Sequence, residues 1–215
     1  MLTRVLAGGL GVVLLSGCAG PHPEADIARI AAVKASFGPQ FTVTEVAPTG
    51  IDPELLSGQA LPDGLRFEPP GCARLATARQ VPPGTEGNMA AVSAEGEGNR
   101  FIVFAVETSA PIPVEKPESG CAQVAFAGTT VRGTVEEVQV PEIDGAQTLG
   151  VHRVVQTVVE GTPRTGELYS YSAHFGVYQV IVSANPLVVP GAPVVPVNTQ
   201  RARDLLIAGV NAVRR

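Results

Sequence analysis

Few side chains in this 215-residue sequence are of a type that does chemistry, and the most informative is Cys18. It directly follows Leu15-Ser16-Gly17, at the end of an apolar run from Val5 to Leu15 that begins after one basic residue, Arg4. A secretory leader has an apolar run of about 7–15 residues, whereas a spanning helix needs about 20. Ser16 and Gly17 are the small residues a signal peptidase requires. A thiol in this register accepts a diacylglyceryl group, and cleavage in front of it leaves Cys18 as the new N-terminus. Burial of an acyl chain is worth about 0.8 kcal/mol per CH₂, so one chain holds reversibly and two or more form a stable anchor. Residues 1–17 are thus expected to be a lipoprotein signal peptide, 18–23 a tether after lipidated Cys18, and 24–215 a single domain.

The two remaining cysteines, Cys72 and Cys121, form an even pair. In the oxidising compartment that an export leader implies, a disulfide is the default. The loop spans 49 positions and by chain-entropy arithmetic is worth about 4 kcal/mol. A metal pair would call for the short Cys-x-x-Cys spacing of zinc sites, which is absent.

The other candidates lie late in the chain. His152 and His174 are on consecutive predicted strands, with a turn at Gly161-Thr-Pro-Arg164. Pairing Gly161 with Thr165 sets the two histidines opposite one another. Pairing Glu160 with Thr165 puts them on opposite faces. On a shared face they would form a site for a metal or a response to pH. Ser170, Ser172, His174 and Asp204 can be written as a hydrolytic set, although nothing in their spacing argues for it. The polar alternates Ser170, Ser172 and His174 would otherwise line a groove, the default form of a ligand site. Gly-x-Ser-x-Gly, His-Glu-x-x-His, phosphate-loop and dinucleotide fingerprints are all absent. Glu95-Gly-Glu-Gly-Asn-Arg100 superficially suggests a cation loop, but it lacks EF-hand spacing and reads as a hairpin turn. The expectation is no catalytic residue, no metal ligand and no cofactor.

The elements that must position these residues follow from periodicity. A helix is expected over 24–37, with Ile27, Ile30, Ala31 and Phe37 on one face. Strands are expected at 41–46, 89–94, 100–107, 121–126, 130–140, 147–160, 165–175 and 177–184. The run Phe101 to Val106 is apolar throughout, which requires cover on both faces. Short helices are expected at 51–56 and 71–79. Four prolines between Asn185 and Val197 make that stretch an extended crossing segment rather than a strand. A helix over 199–213 should bury Ala202, Leu205, Leu206, Gly209, Val210 and Val213, with Gly209 allowing close approach to the sheet. The class is α+β: a single twisted antiparallel sheet of about six strands, with the N- and C-terminal helices packed on one face.

The formal net charge is −5, and close to −6 once the leader with Arg4 is removed. An acidic domain is not built to hold nucleic acid or an anionic membrane surface through its charge. Trp is absent and aromatics make up 5 %, which leaves no Trp platform for sugars.

Leu15-Ser-Gly-Cys18, Phe37-Gly-Pro39, Thr49-Gly-Ile-Asp52, the stretch Ala90 to Arg100 and Ala184-Asn-Pro-Leu-Val-Val-Pro190 resemble the small mycobacterial cell-envelope lipoproteins of uncharacterised function, over nearly the whole chain. More loosely, the helix–sheet–helix order with a bridge is similar to the extracellular sensor domains of mycobacterial Ser/Thr kinases, which carry a cleft and further disulfides. The resemblance implies lipid anchoring, an exported α+β domain and no assigned activity. The expected function is a non-catalytic ligand- or partner-binding domain. It would be held by palmitate and diacylglyceryl on the extracytoplasmic face of the cell membrane, with a lipid, a small molecule or an envelope protein as partner. The alternatives are an envelope hydrolase with an unrecognised Ser/His site and a structural envelope component.

Overall fold

The structure is a computed structural model and describes residues 25–52, 61–77, 81–82, 84–114, 116–159 and 161–215. The leader, Cys18, Glu24 and most of the expected 51–56 helix lie outside the described residues.

The class is α+β, with a larger sheet than expected. Nine antiparallel strands form it: β1 (Thr42–Gly50), β2 (Arg66–Glu68), β3 (Gly87–Gly96), β4 (Asn99–Thr108), β5 (Gln123–Ala127), β6 (Val131–Glu137), β7 (Gln147–Val159), β8 (Thr162–Phe175) and β9 (Tyr178–Pro186). Their spatial order is β1-β3-β4-β9-β8-β7-β6-β5-β2. The sequence expectation missed β2, whose three residues are too few to show a period and which forms by pairing with β5.

The β3–β4 hairpin closes through two residues, Glu97 and Gly98, at φ +50° and +75°. Both angles are positive, as the primed hairpin turns demand. Gly98 is required twice over, because a Cβ there would lie 2.6 Å from the Val195 side chain. Asn99, expected in the turn, is instead the first strand residue and is 2 % exposed. Its amide donates to the Pro196 carbonyl at 3.3 Å, and its side-chain oxygen accepts from the Asn198 backbone at 2.7 Å. The proline-rich segment after β9 is thereby tied to the sheet.

One face of the sheet carries both terminal helices, as expected. The first, Ile27–Ser36, is a 3₁₀ helix capped by Asp26, whose carboxylate accepts from the Ala28 backbone at 2.8 Å. Three residues per turn set Ile27, Ile30 and Val33 in line, and these are its buried residues. Val33 therefore takes the place that α-periodicity assigned to Ala31. The C-terminal helix, Thr199–Arg214, buries Ala202, Leu205, Leu206, Gly209, Val210 and Val213, the expected stripe. A Cβ on Gly209 would lie 2.9 Å from Val180 Cγ1 and 3.2 Å from Ile30 Cδ1. Helix, strand and N-terminal helix meet at that point. Phe101, Val103 and Ala105 of β4 fill this core together with Tyr171, Val180 and Val182.

The other face is covered by two smaller clusters. Met89, Ala91, Phe104, Val106 and Ile181 form one. Cys72, Leu75, Ala76, Cys121, Val124, Phe126, Val131 and Val135 form the second, under the short helix Ala73–Thr77. The continuously apolar β4 is thus covered on both sides. Cys72 and Cys121 are joined, with Cα atoms 5.2 Å apart, and lie within the second cluster.

Candidate functional site

The β7–β8 register decides what the two histidines can do. Val159 pairs with Thr162, so the strands close around Gly161 and Pro163 lies within β8. Proline is tolerated there because β9 pairs with β8 only from Tyr169 onward, leaving that side of Pro163 unpaired. The ladder runs four or five positions tighter than the turn at 161–164 would give. His152 faces Tyr169, and His174 faces Gln147. Because side chains alternate, His152 and His174 project from opposite faces of the sheet and do not form a paired site.

His174 lies under the loops of the non-helical face. Its Nδ1 is 3.2 Å from the Ile112 carbonyl and its Nε2 is 3.0 Å from Gln179 Nε2. A carbonyl only accepts, so Nδ1 carries the proton and Nε2 accepts from the Gln179 amide. This is the neutral ring with both nitrogens satisfied. Burial lowers its pKa, and the Ile112 hydrogen bond opposes that shift more weakly. Ser170 and Ser172 are buried, so they do not line a groove. Asp204 is exposed on the C-terminal helix, across the sheet from His174. The serine, histidine and aspartate candidates therefore do not assemble into a hydrolytic set.

His152 is the centre of a cluster that sequence reasoning missed. Its Nδ1 lies 2.7 Å from Glu136 Oε1 on β6, and its Nε2 lies 3.0 Å from Glu167 Oε1 on β8. The ring stacks on Tyr169 with centroids 4.1 Å apart and planes within 10°. Glu136 is directly across from His152 in the β6–β7 ladder, and Glu167 lies diagonally across β8. Ionised carboxylates only accept, so both contacts form at once when both ring nitrogens carry protons. The two carboxylates flank opposite edges of the ring and do not converge on a common point. Among the described residues, no three His, Cys, Asp or Glu side chains gather where they could hold a metal. Tyr169 has its pKa raised, first by burial and then by the Glu167 charge. Alternation alone marked these residues as strand-borne, and only the register brought them together.

A groove of about 670 Å³ lies between the two terminal helices, lined by Arg29, Ala32, Val33, Ile207, Ala208 and Arg215 among others. Its lining mixes small and apolar side chains with Ser36, Asp204 and Asn211, and Arg29 and Arg215 stand at one end. The two helices run antiparallel: the Asp26 backbone donates to the Val213 carbonyl at 2.9 Å, and Arg201 reaches the Ser36 carbonyl at 3.3 Å. The start of the described chain therefore lies at the arginine end of the groove.

Comparison with known proteins places this architecture. A putative uncharacterized protein from Mycobacterium smegmatis, the ortholog of Rv0999, has an X-ray structure that is similar at a TM-score of 0.85 and 59 % identity, covering 90 % of this chain and 100 % of that one. The extracellular domain of PknH from Mycobacterium tuberculosis aligns at a TM-score of 0.37 and 10 % identity over 86 % of this chain and 92 % of its own, a distance at which it bears no functional argument. No curated protein matches. The profile of the DUF5642 family, a domain of unknown function, matches residues 26–214, and the chain belongs to that family.

Proposed function

We propose that this protein is an extracytoplasmic lipoprotein whose α+β domain binds a ligand or partner without catalysis. The observation that carries this reading is the Cys72–Cys121 bridge, set within an apolar cluster of its own. Structural disulfides of this kind belong to oxidising compartments. An export leader ending in Leu15-Ser-Gly-Cys18 agrees with that compartment and supplies the anchor. The non-catalytic reading is supported by the disposition of the histidines. His174 is held by a carbonyl and an amide, and His152 is clamped between two carboxylates.

Metabolic labelling tests the anchor. The full chain should incorporate radiolabelled palmitate and enter the detergent phase on Triton X-114 partition. Cys18→Ala should lose the label and move to the aqueous phase. An unlabelled wild-type chain, or a Cys18→Ala chain that partitions unchanged, overturns the reading.

A further inference from the structure

Although the protein as a whole is acidic, its two terminal helices are basic. The two terminal helices with their caps, residues 26–36 and 199–215, hold six basic side chains (Arg29, Lys34, Arg201, Arg203, Arg214 and Arg215) against Asp26 and Asp204. The whole chain has 15 basic and 20 acidic residues, so the remainder holds nine basic against eighteen acidic. The helices bring their charges into one layer on one face of the sheet. Lys34 pairs with Glu45 and Arg201 with Glu97, both on neighbouring strands or turns. Arg214 is held by neutral groups, the Asp144 and Gly145 carbonyls and the Phe175 ring. Arg29 pairs with Asp26 at 3.7 Å. Arg215 is exposed, and with Arg29 it lines one end of the groove, which Asp204 also lines.

That end is also where the described chain begins. Ala25 lies seven residues after Cys18, a reach of about 25 Å at most. The C-terminal helix of 16 residues is about 24 Å long. A run of exposed valines, Val188, Val189, Val194 and Val195, belongs to the segment packed on the β3–β4 turn at the far end of that helix. An anchor at Cys18 therefore joins the described domain at its Arg29–Arg215 end.

We propose that the two-helix layer is the membrane-facing surface of the protein. Arg29 and Arg215, at one end of the groove between the helices, would meet anionic phospholipid headgroups. The orientation rests on the anchor reading, whereas the affinity of the layer for anionic lipid does not. Basic side chains within a Debye length of an anionic leaflet are attracted to it, and salt screens that attraction.

The test uses residues 25–215, which lack Cys18, so failure of acylation cannot affect it. The Mycobacterium smegmatis chain shows that the fold forms on such a length, since all of it aligns to 90 % of this one. Co-sedimentation with phosphatidylglycerol vesicles at low salt should retain the domain roughly tenfold more than with phosphatidylcholine vesicles, and molar salt should abolish the difference. The double variant Arg29→Glu, Arg215→Glu should lose most of that retention with an unchanged thermal melt. The double variant Arg66→Glu, Arg132→Glu, on β2 and β6, should keep it. Equal retention on both vesicles would assign the contact to the exposed valines and overturn the proposal, as would no retention or an equal loss in both variants. A concentration-dependent dimer broken by Arg29→Glu, Arg215→Glu would assign the face to a second copy and would overturn it as well.

Discussion

His174 shows how one buried ring couples this fold to pH. Its folded pKa lies below the ordinary 6.5 because burial disfavours the charged form. In the window below that ordinary value the unfolded chain binds the extra proton and the folded chain does not. Stability therefore falls as pH drops through the window and is fully present above it. His174→Gln should flatten this acid-side decline in a series of thermal melts, because the residue that must be protonated on unfolding is gone. A variant whose melts decline as steeply as wild type would show that other groups carry the effect. At the same scale, Asn99 shows what a sequence hides. An Asn beside Gly98 reads as turn chemistry, yet its side chain is buried and secures a segment about a hundred residues away. The expected strand begins at Arg100, so the pattern showed neither Asn99's place in β4 nor its partners. His152 is a comparable case: its two carboxylates are 16 and 15 residues distant, on different strands.

Among the elements, the C-terminal helix was legible in full. Its buried stripe follows from 3.6-residue periodicity, which needs no knowledge of what it packs against. Gly209 was legible for the same reason: a glycine in the centre of an apolar stripe costs helix propensity and must be offset by close approach. A Cβ on Gly209 would lie only 2.9 and 3.2 Å from Val180 and Ile30, which bears that out. Gly209→Val should therefore destabilise the domain by about 1–3 kcal/mol through overpacking against Val180 and Ile30, lowering the denaturant midpoint without changing the slope. An unchanged midpoint would mean that the helix can slide away from the sheet at little cost. The N-terminal helix was only partly legible. Its apolar residues fit both a 3.6- and a 3.0-residue period over one or two turns, and the choice of Val33 over Ala31 is made by the strands beneath. The β7–β8 hairpin was misread because Pro163 resembles a turn residue. It is admitted to the strand where β8 lacks a second neighbour.

For the whole molecule, the two faces of the sheet are stabilised in different ways. The helical face has a large contiguous core, whereas the opposite face relies on smaller clusters and on the Cys72–Cys121 bridge. Replacing both cysteines by Ala should cost about 4 kcal/mol on the chain-entropy account. Hydrogen exchange should then rise first in β5, β6 and the Ala73–Thr77 helix, while the core beneath the terminal helices stays protected. Uniform loss of protection would show that the two faces unfold as one unit.

Charge carries the same lesson at this scale. An average of −5 argued against an anionic surface as partner, yet tertiary packing unites two helices more than 160 residues apart into a basic layer. By itself the sequence determined the features that depend on near neighbours along the chain: the apolar run from Val5 to Leu15, the even cysteine pair, a hairpin turn within 95–99, the buried helix stripe and the α+β class. The tertiary structure alone decided strand register, the separation of His152 from His174, the carboxylate clamp on His152 and the segregation of charge. Each of these is a relation between distant segments, and local periodicity is the same whichever segments come to lie together.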